Sequence, residues 1–349
     1  MSVIIGWDIG GAHLKAARGE DGRIVDVVQL PSPLRLGLDA VAAAFSAAKA
    51  RMGAADRHAV TMTGELADAF ASRPEGVERL SDLAVRALAP TPVWLYAGRA
   101  GFISAEAAGR QAEDVASANW FASGSLVASA RRDALVVDVG STTADIVPVV
   151  GGRVVARGYT DAQRLAAGEL VYTGLVRTPV PMVAGRAPFA GHWISLVKEN
   201  FATMGDVHRI LGALPEAADQ MATADGREKT EDASRARLAR VVGRDAADAD
   251  PADWAALARW FADVQIRAIV DGAALVLSAN VLPAAAPIVS AGVGAAIARE
   301  LARRLGRDHL GFDALLDVAP QARAHAAQCA PAAALAVLAT ATTGCWAGS

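Results

Sequence analysis

Short apolar runs that end in an acid and then break into glycine recur along this chain. Residues 3–8, Val-Ile-Ile-Gly-Trp-Asp, read as a buried strand. Residues 13–18 and 24–28, with Gly22 between them, continue as strands joined by turns and predict an antiparallel meander. Apolar positions at helical spacing cover 38–52, strand-like runs fall at 58–63 and 93–96, and a helix is expected over 105–121. These elements make up a first unit, residues 1–125.

A second unit, residues 126–349, repeats the scheme. Residues 134–140 form a strand running into a turn, 144–150 a second strand, and Gly151-Gly152 turns the chain into 153–157. Strand, Asp-x-Gly, polar turn and strand thus occur twice, as in a duplicated unit. A largely helical insertion spans about 194–281. Asp250-Pro251 supplies an N-cap and first-turn proline for a long helix from residue 252, and the charged stretch 228–244 reads as a solvated helix. Residues 287–294 form a further strand entering a glycine turn at 290–294, followed by a helix at 295–305. The class is therefore α/β, two lobes around a central cleft.

Composition narrows the partner. At 349 residues the chain has room for two cores. A net charge of −3 without long single-sign runs gives no footprint for nucleic acid or an anionic membrane. Hydrophobic residues reach 53%, yet the most apolar stretch, 272–286, is interrupted by Asn280 and Pro283, so a buried helix followed by a loop is expected rather than a membrane span. The N-terminus lacks the basic start and cleavage site of a signal peptide, and a cytoplasmic protein is expected. Cys329 and Cys345 stand in no Cys-x-x-Cys or Cys/His pattern, so neither zinc nor a disulfide framework is suggested. Apolar helices near 252–279 and 327–341 could form a homodimer face, although burial within the chain accounts for them equally well.

The chemistry sits in two loops, Asp8-Ile9-Gly10-Gly11 and Asp138-Val139-Gly140-Ser141-Thr142-Thr143. Glycines after a strand-end carboxylate let backbone N–H groups turn toward a phosphate, while the acid suits hydrated Mg²⁺. Asp8 and Asp138 are the candidate metal ligands. Gly10, Gly11, Gly140, Ser141, Thr142 and Thr143 are candidate phosphate binders, with Lys15 as their cation. The turn at Gly292 and Gly294 is a third place where a nucleotide or its replacement could lie. Asp145, two residues beyond Thr143, could meet metal, metal-bound water or a substrate proton.

The loops resemble the paired phosphate motifs of the acetate and sugar kinase, heat-shock and actin superfamily, in its hydantoinase/oxoprolinase-like branch. Further stretches are similar to the tetrahydromethanopterin-linked one-carbon-transfer proteins, whose archaeal relatives are the methylofuran-forming methanamine synthases. They are Thr61-Met62-Thr63-Gly64-Glu65-Leu66-Ala67-Asp68-Ala69-Phe70, Ala116-Ser117-Ala118-Asn119-Trp120, Gly168-Glu169-Leu170-Val171-Tyr172-Thr173-Gly174, Arg177-Thr178-Pro179, Phe201 through Arg209, and Thr223-Ala224-Asp225-Gly226-Arg227.

The resemblance implies a duplicated, ribonuclease H-like, actin-like fold and an ether-forming transferase. A phosphorylated or diphosphorylated aminomethylfuran would be attacked by the phenol of a tyramine or tyrosine derivative, releasing phosphate or diphosphate. Mg²⁺ or a similar divalent cation is the expected cofactor, and ATP could enter the cleft without being consumed. Candidate bases for the phenol are Glu65, Asp145, Glu169, Asp206 and His208, with Asp206 able to orient His208. Arg227 is a further candidate phosphate or carboxylate contact. Helix capping suits Glu65 and Asp68 as well as catalysis does, and Tyr172 and Trp120 could stack on substrate rings or belong to the core. The alternatives are an ATP-dependent kinase, an ATP-driven amidohydrolase, or a non-catalytic actin-like sensor or scaffold.

Overall fold

β1 (Val3–Ile9) is the axis of the first sheet, and every residue after Val3 is buried because neighbours lie on both its edges and both its faces. The computed structural model describes residues 2–279 and 282–342. β2 (His13–Glu20) and β3 (Arg23–Pro31) complete the expected meander. After α1 (Leu38–Met52), β4 (Arg57–Met62) pairs parallel with β1; then come α2 (Arg73–Leu88), β5 (Val93–Tyr96) and β6 (Phe102–Ser104). The sheet runs β3-β2-β1-β4-β5-β6.

The helix expected over 105–121 does not form as one piece. A 3-10 turn at Ala105–Ala107, the short α3 (Ala112–Val115) and a left-handed Ser117 at φ 52° precede α4 (Asn119–Ala130). A left-handed residue cannot continue an α-helix, so the helical register restarts after it.

The second sheet repeats the first. β7 (Ala134–Val139) and β8 (Ala144–Val150) pair antiparallel, β9 (Arg153–Val154) extends β8, and after α5 (Asp161–Ala167) the short β10 (Leu170–Val171) pairs with β8. α6 (Val180–Val183) and a hairpin of β11 (Arg186–Phe189) and β12 (His192–Ser195) come first, so the expected helical insertion from about 194 begins in the end of β12 rather than in helix. α7 (Met204–Ile210), α8 (Glu231–Val241) and the long α9 (Pro251–Ala279) follow. α8 is not merely a solvated helix, because Ser234 and Arg237 on it are fully buried against α7. The proposed end of the insertion at 281, Asn280 and Cys345 lie outside the described residues.

β13 (Ile288–Ala291), α10 (Ala295–Arg304) and β14 (His309–Gly311) finish the second sheet, ordered β10-β8-β7-β13-β14. α11 (Arg323–Gln328) leads into α12 (Ala330–Ala341), which returns to the first sheet. Its alanines permit that return: a Cβ on Gly6 would stand 2.1 Å from the carbonyl oxygen of Ala332, so strand and helix backbones are in direct contact. α12 and α4 share one buried cluster with Ile4 and Ala17 of the first sheet and Val136, Val147 and Val289 of the second. Burial within the chain thus accounts for the apolar segment at 330–341. No single helix among the described residues is long and apolar enough to cross a membrane.

Candidate functional site

The two loops are built alike to the level of register. β1 and β2 pair Asp8 with Lys15 and Ile9 with Leu14; β7 and β8 pair Asp138 with Asp145 and Val139 with Ala144. Each turn closes with the same bond, Gly10 N–H to the His13 carbonyl and Gly140 N–H to the Thr143 carbonyl, both at 2.9 Å. A Cβ at Gly10 would lie 3.0 Å from the His13 carbonyl oxygen, whereas the space at Gly11 is open. Among the described residues, the N–H groups of Gly11, Ser141 and Thr142 have no intramolecular acceptor and are available to a bound anion.

The loops meet in a cleft of about 510 Å³ between the two sheets. Gly10, Gly11, Lys15, Asp138, Gly140, Ser141, Thr142, Thr143 and Asp145 all line it. Lys15 Nζ lies 3.1 Å from Asp8 Oδ2, while Asp8 Oδ1 is buried without a hydrogen-bond partner. Burial disfavours the Lys15 ammonium, but Asp8 and, further off, Asp138 outweigh it and hold the amine above its ordinary range. Asp138 is pushed up to about 7, first by burial and then by Asp145, with Asp8 adding to the effect and Lys15 opposing it. Asp145 also lies above the usual carboxylate range because of burial, although Arg164 at 2.8 Å opposes the shift.

This donor set fits a hydrated hard cation. Among the described residues no three His, Cys, Asp or Glu side chains form a ready-made cage. Mg²⁺ needs none, since it keeps several waters and is held by one or two carboxylates together with a substrate's phosphate oxygens. The unpartnered Asp8 oxygen and the Asp138 carboxylate suit that role.

Several predicted residues sit elsewhere. Gly292 and Gly294 lie outside the cleft lining: their N–H groups donate to Ala327 and Val139, and a Cβ on Gly292 would come within 2.3 Å of Asp138 Oδ1. This third turn braces the strand that carries Asp138. Both Glu169 oxygens accept backbone N–H groups, from Arg157 at 2.6 Å and Gly158 at 2.9 Å. Asp206 caps α7 through the Thr203 N–H and accepts from Ser234 and Arg237, so it does not orient His208. His208 is bonded instead to Gln265 at 2.8 Å, and Gln265 holds the Gly174 carbonyl. Gly174 backs the second loop so closely that a Cβ there would stand 2.4 Å from the Thr142 nitrogen. His208 therefore supports the loop from behind. Arg227 belongs to an exposed turn closed by Asp225 and Thr223. Glu65 is buried just behind the cleft wall.

The structure adds residues that sequence reasoning missed. Arg164 is buried, pairs with Asp145 and stacks 4.0 Å over the Trp120 ring. His13 lines the cleft with an unpartnered Nε2, and its pKa is lowered to about 4, first by burial and then by Lys15 and Arg177. Arg177 lies beside Thr142. Tyr172 is exposed on the cleft, whereas Trp120 is a core side chain that touches its edge. Only the quoted stretch at Arg177 carried a sequence signal for any of the three.

Fold and site together define a two-lobed, actin-like protein with a cleft between its lobes lined by two glycine loops. A hydantoinase/oxoprolinase family model matches residues 56–339, and the chain belongs to that family. The first loop precedes the matched span. Among curated relatives, a (4-{4-[2-(gamma-L-glutamylamino)ethyl]phenoxymethyl}furan-2-yl)methanamine synthase of Methanocaldococcus jannaschii is 34% identical over 244 residues, covering 70% of this chain and 72% of the relative. A protein of the same name from Methanococcus vannielii is 33% identical over 114 residues, 33% of this chain and 51% of its own. The nucleotide-free structure of an acetone carboxylase aligns with a TM-score of 0.55 at 11% identity, covering 88% of this chain and 68% of that one, and shares the fold.

Proposed function

We propose that this chain is a methylofuran-pathway transferase that joins a phosphorylated or diphosphorylated aminomethylfuran to the phenol of a tyramine or tyrosine derivative. The observation that carries the reading is the cleft itself: two matched glycine loops with unengaged N–H groups around Lys15, Asp138 and Asp145, with Asp8 buried behind Lys15, in a chain related to named methanamine synthases. A furfuryl carbon tolerates positive charge, so the enzyme has chiefly to neutralise the leaving group and place the phenol. The N–H groups of Gly11, Ser141 and Thr142 and the Lys15 ammonium receive the departing oxygens, and this electrostatic stabilisation is the largest catalytic contribution. Asp8 and Asp138 would hold Mg²⁺, which when bound supplies charge neutralisation at the phosphate. Arg164 keeps Asp145 oriented toward the cleft.

Under this reading ATP is not consumed, and the working protein is intracellular. Purified protein is incubated with Mg²⁺, each phosphorylated furan and each phenolic acceptor, and ether formation and phosphate release are followed by mass spectrometry and a colorimetric assay. Coupling without ATP is expected. Absence of coupling for every pair, or coupling that depends on ATP hydrolysis, overturns the reading.

A further inference from the structure

The stretches 61–70 and 116–120, distant in sequence, meet beside the first loop. Ser117 lines the cleft, and its φ of 52° puts a non-glycine residue in the left-handed region. That conformation costs about 1 kcal/mol or more and persists where the surroundings impose it, often at functional sites. Its hydroxyl donates to Glu65 Oε1 at 2.7 Å, and both residues are buried. Glu65 Oε2 is buried without a hydrogen-bond partner among the described residues. The nearby Arg73 gives its ion pair to Asp161 instead.

Packing fixes Glu65 as well. A Cβ on Gly76 would come within 2.5 Å of the Glu65 carbonyl oxygen, so the start of α2 presses directly on this residue. Among the described residues its buried carboxylate has no ion pair and one side-chain partner, the hydroxyl of the cleft-lining Ser117. Burial lifts its proton affinity above the usual carboxylate range, with Ser117 and, more weakly, the residue's own backbone N–H and the Arg73 charge opposing the shift.

We propose that Ser117 and Glu65 form the proton relay that deprotonates the acceptor hydroxyl, Ser117 as catalytic residue and Glu65 as the positioning residue behind it. The inference rests on the coupling reaction proposed above. The phenol passes its proton to Ser117 Oγ as Ser117 passes its own to Glu65 Oε1. The phenol oxygen bonds to the furfuryl carbon, the carbon–oxygen bond to the leaving group breaks, and its electron pair departs with the phosphate or diphosphate. Glu65 ends as a neutral acid, the form its dehydrated site favours, and returns the proton through Ser117 once product has left.

The test compares the parent with Glu65→Gln, Ser117→Ala and Ser117→Gly, the last of which relieves the left-handed strain and so separates folding from chemistry. Coupling is followed from acid to alkaline pH. Ionisation of the donor alone is followed by positional isotope exchange of a labelled bridging oxygen, and thermal midpoints are recorded. The relay predicts that each variant loses about a hundredfold or more in coupling at neutral pH and recovers as pH approaches the phenol's own pKa near ~10. Isotope exchange should stay at the parental rate, and Glu65→Gln should keep or raise the midpoint by removing a dehydrated charge. Parental coupling and pH profile in Glu65→Gln or Ser117→Gly overturn the relay; so does loss of isotope exchange together with coupling, which would place the defect at the donor. A parent that neither couples nor exchanges removes the proposed reaction itself.

Discussion

Replacing Lys15 with Met separates the two tasks of the first loop. Asp8 is only 1% exposed, and with Oδ1 already unpartnered its one side-chain hydrogen bond among the described residues is to the Lys15 ammonium at 3.1 Å. Removing one partner of a buried pair costs about 3–5 kcal/mol. The Lys15 side chain is 22% exposed, so water can replace part of what is lost, and a cost of about 2–3 kcal/mol is expected. Pairing holds the amine above its ordinary 10.5, so its contribution is complete below that pH and is lost only as pH rises beyond it. At neutral pH the defect should not vary with pH through this group. Denaturant titration at pH 7 of the parent, Lys15→Met, Asp8→Asn and the double variant closes the cycle. The double variant should be more stable than the sum of the two losses predicts, by about 1–3 kcal/mol. Coupling activity should fall by about a hundredfold in all three, because neither loss is repaired at the phosphate. A Lys15→Met protein with the parental midpoint, or strictly additive losses, would refute the buried-pair reasoning.

Asp138 should make folding and ligand binding depend on pH in opposite senses. Its folded pKa of about 7 lies above the ordinary 3.8, so the folded state binds the extra proton between those values and stability declines as pH rises through that window; Asp138→Asn should flatten the decline. Thermal stabilisation by Mg²⁺ with inorganic diphosphate should grow as pH rises through 7 in the parent and vanish in Asp138→Asn; equal stabilisation on both sides of neutrality would remove Asp138 from the metal site. Gly292→Ala combines the strain of φ +80° with a Cβ 2.3 Å from Asp138 Oδ1, and a loss of about 3 kcal/mol or more, seen as a fall in melting temperature, is expected; a parental melting temperature would contradict the bracing role. His208→Gln preserves a bond to Gln265 and should leave coupling intact. Burial holds His208 below its ordinary 6.5, so the parent loses stability as pH falls below that value, and the variant should lose less.

How much of this was legible follows from what each signal depends on. Asp8, Gly10, Gly11, Asp138 and Gly140 were visible because a strand ending in an acid and opening into glycine is a local pattern, and the register Asp8–Lys15 and Asp138–Asp145 follows from a short turn. The break at 105–121 was hidden because apolar spacing continues through Ser117, whose left-handed backbone is imposed by tertiary contacts. Glu169 and His208 show the limit for polar residues. A sequence does not say whether a carboxylate will meet two backbone N–H groups, as Glu169 does, or a single hydroxyl, as Glu65 does. Arg164 and His13 are missed for a related reason: their significance lies in what faces them, Asp145 and Trp120 for one, Lys15 and Arg177 for the other.

The duplication makes one of the positions where the halves differ especially informative. The residue across the ladder from the loop acid is Lys15 in the first half and Asp145 in the second. The first loop therefore presents a neutral acid–amine pair beside open glycine N–H groups. The second presents two carboxylates, with Arg164 paired to Asp145 and Lys15 acting from across the cleft, and burial with the Asp145 charge still pushes Asp138 up to about 7. Placing an anion near the first loop and a cation near the second relaxes both halves at once: the phosphate draws on Lys15, and the cation allows Asp138 to ionise at neutral pH. Each half alone would bind its ion weakly, since the first offers a cation already engaged by Asp8 and the second an acid that burial and Asp145 hold toward its protonated form. A ligand carrying phosphate and metal together meets both needs in one event, and on the proposed reaction that ligand is the phosphorylated furan. Reversing the asymmetry with Lys15→Asp and Asp145→Lys would restore the summed charge of the cleft but move each ion's partner to the wrong loop. Simple charge balance would let that swapped protein bind Mg²⁺ and diphosphate; the geometry described here predicts that it binds neither.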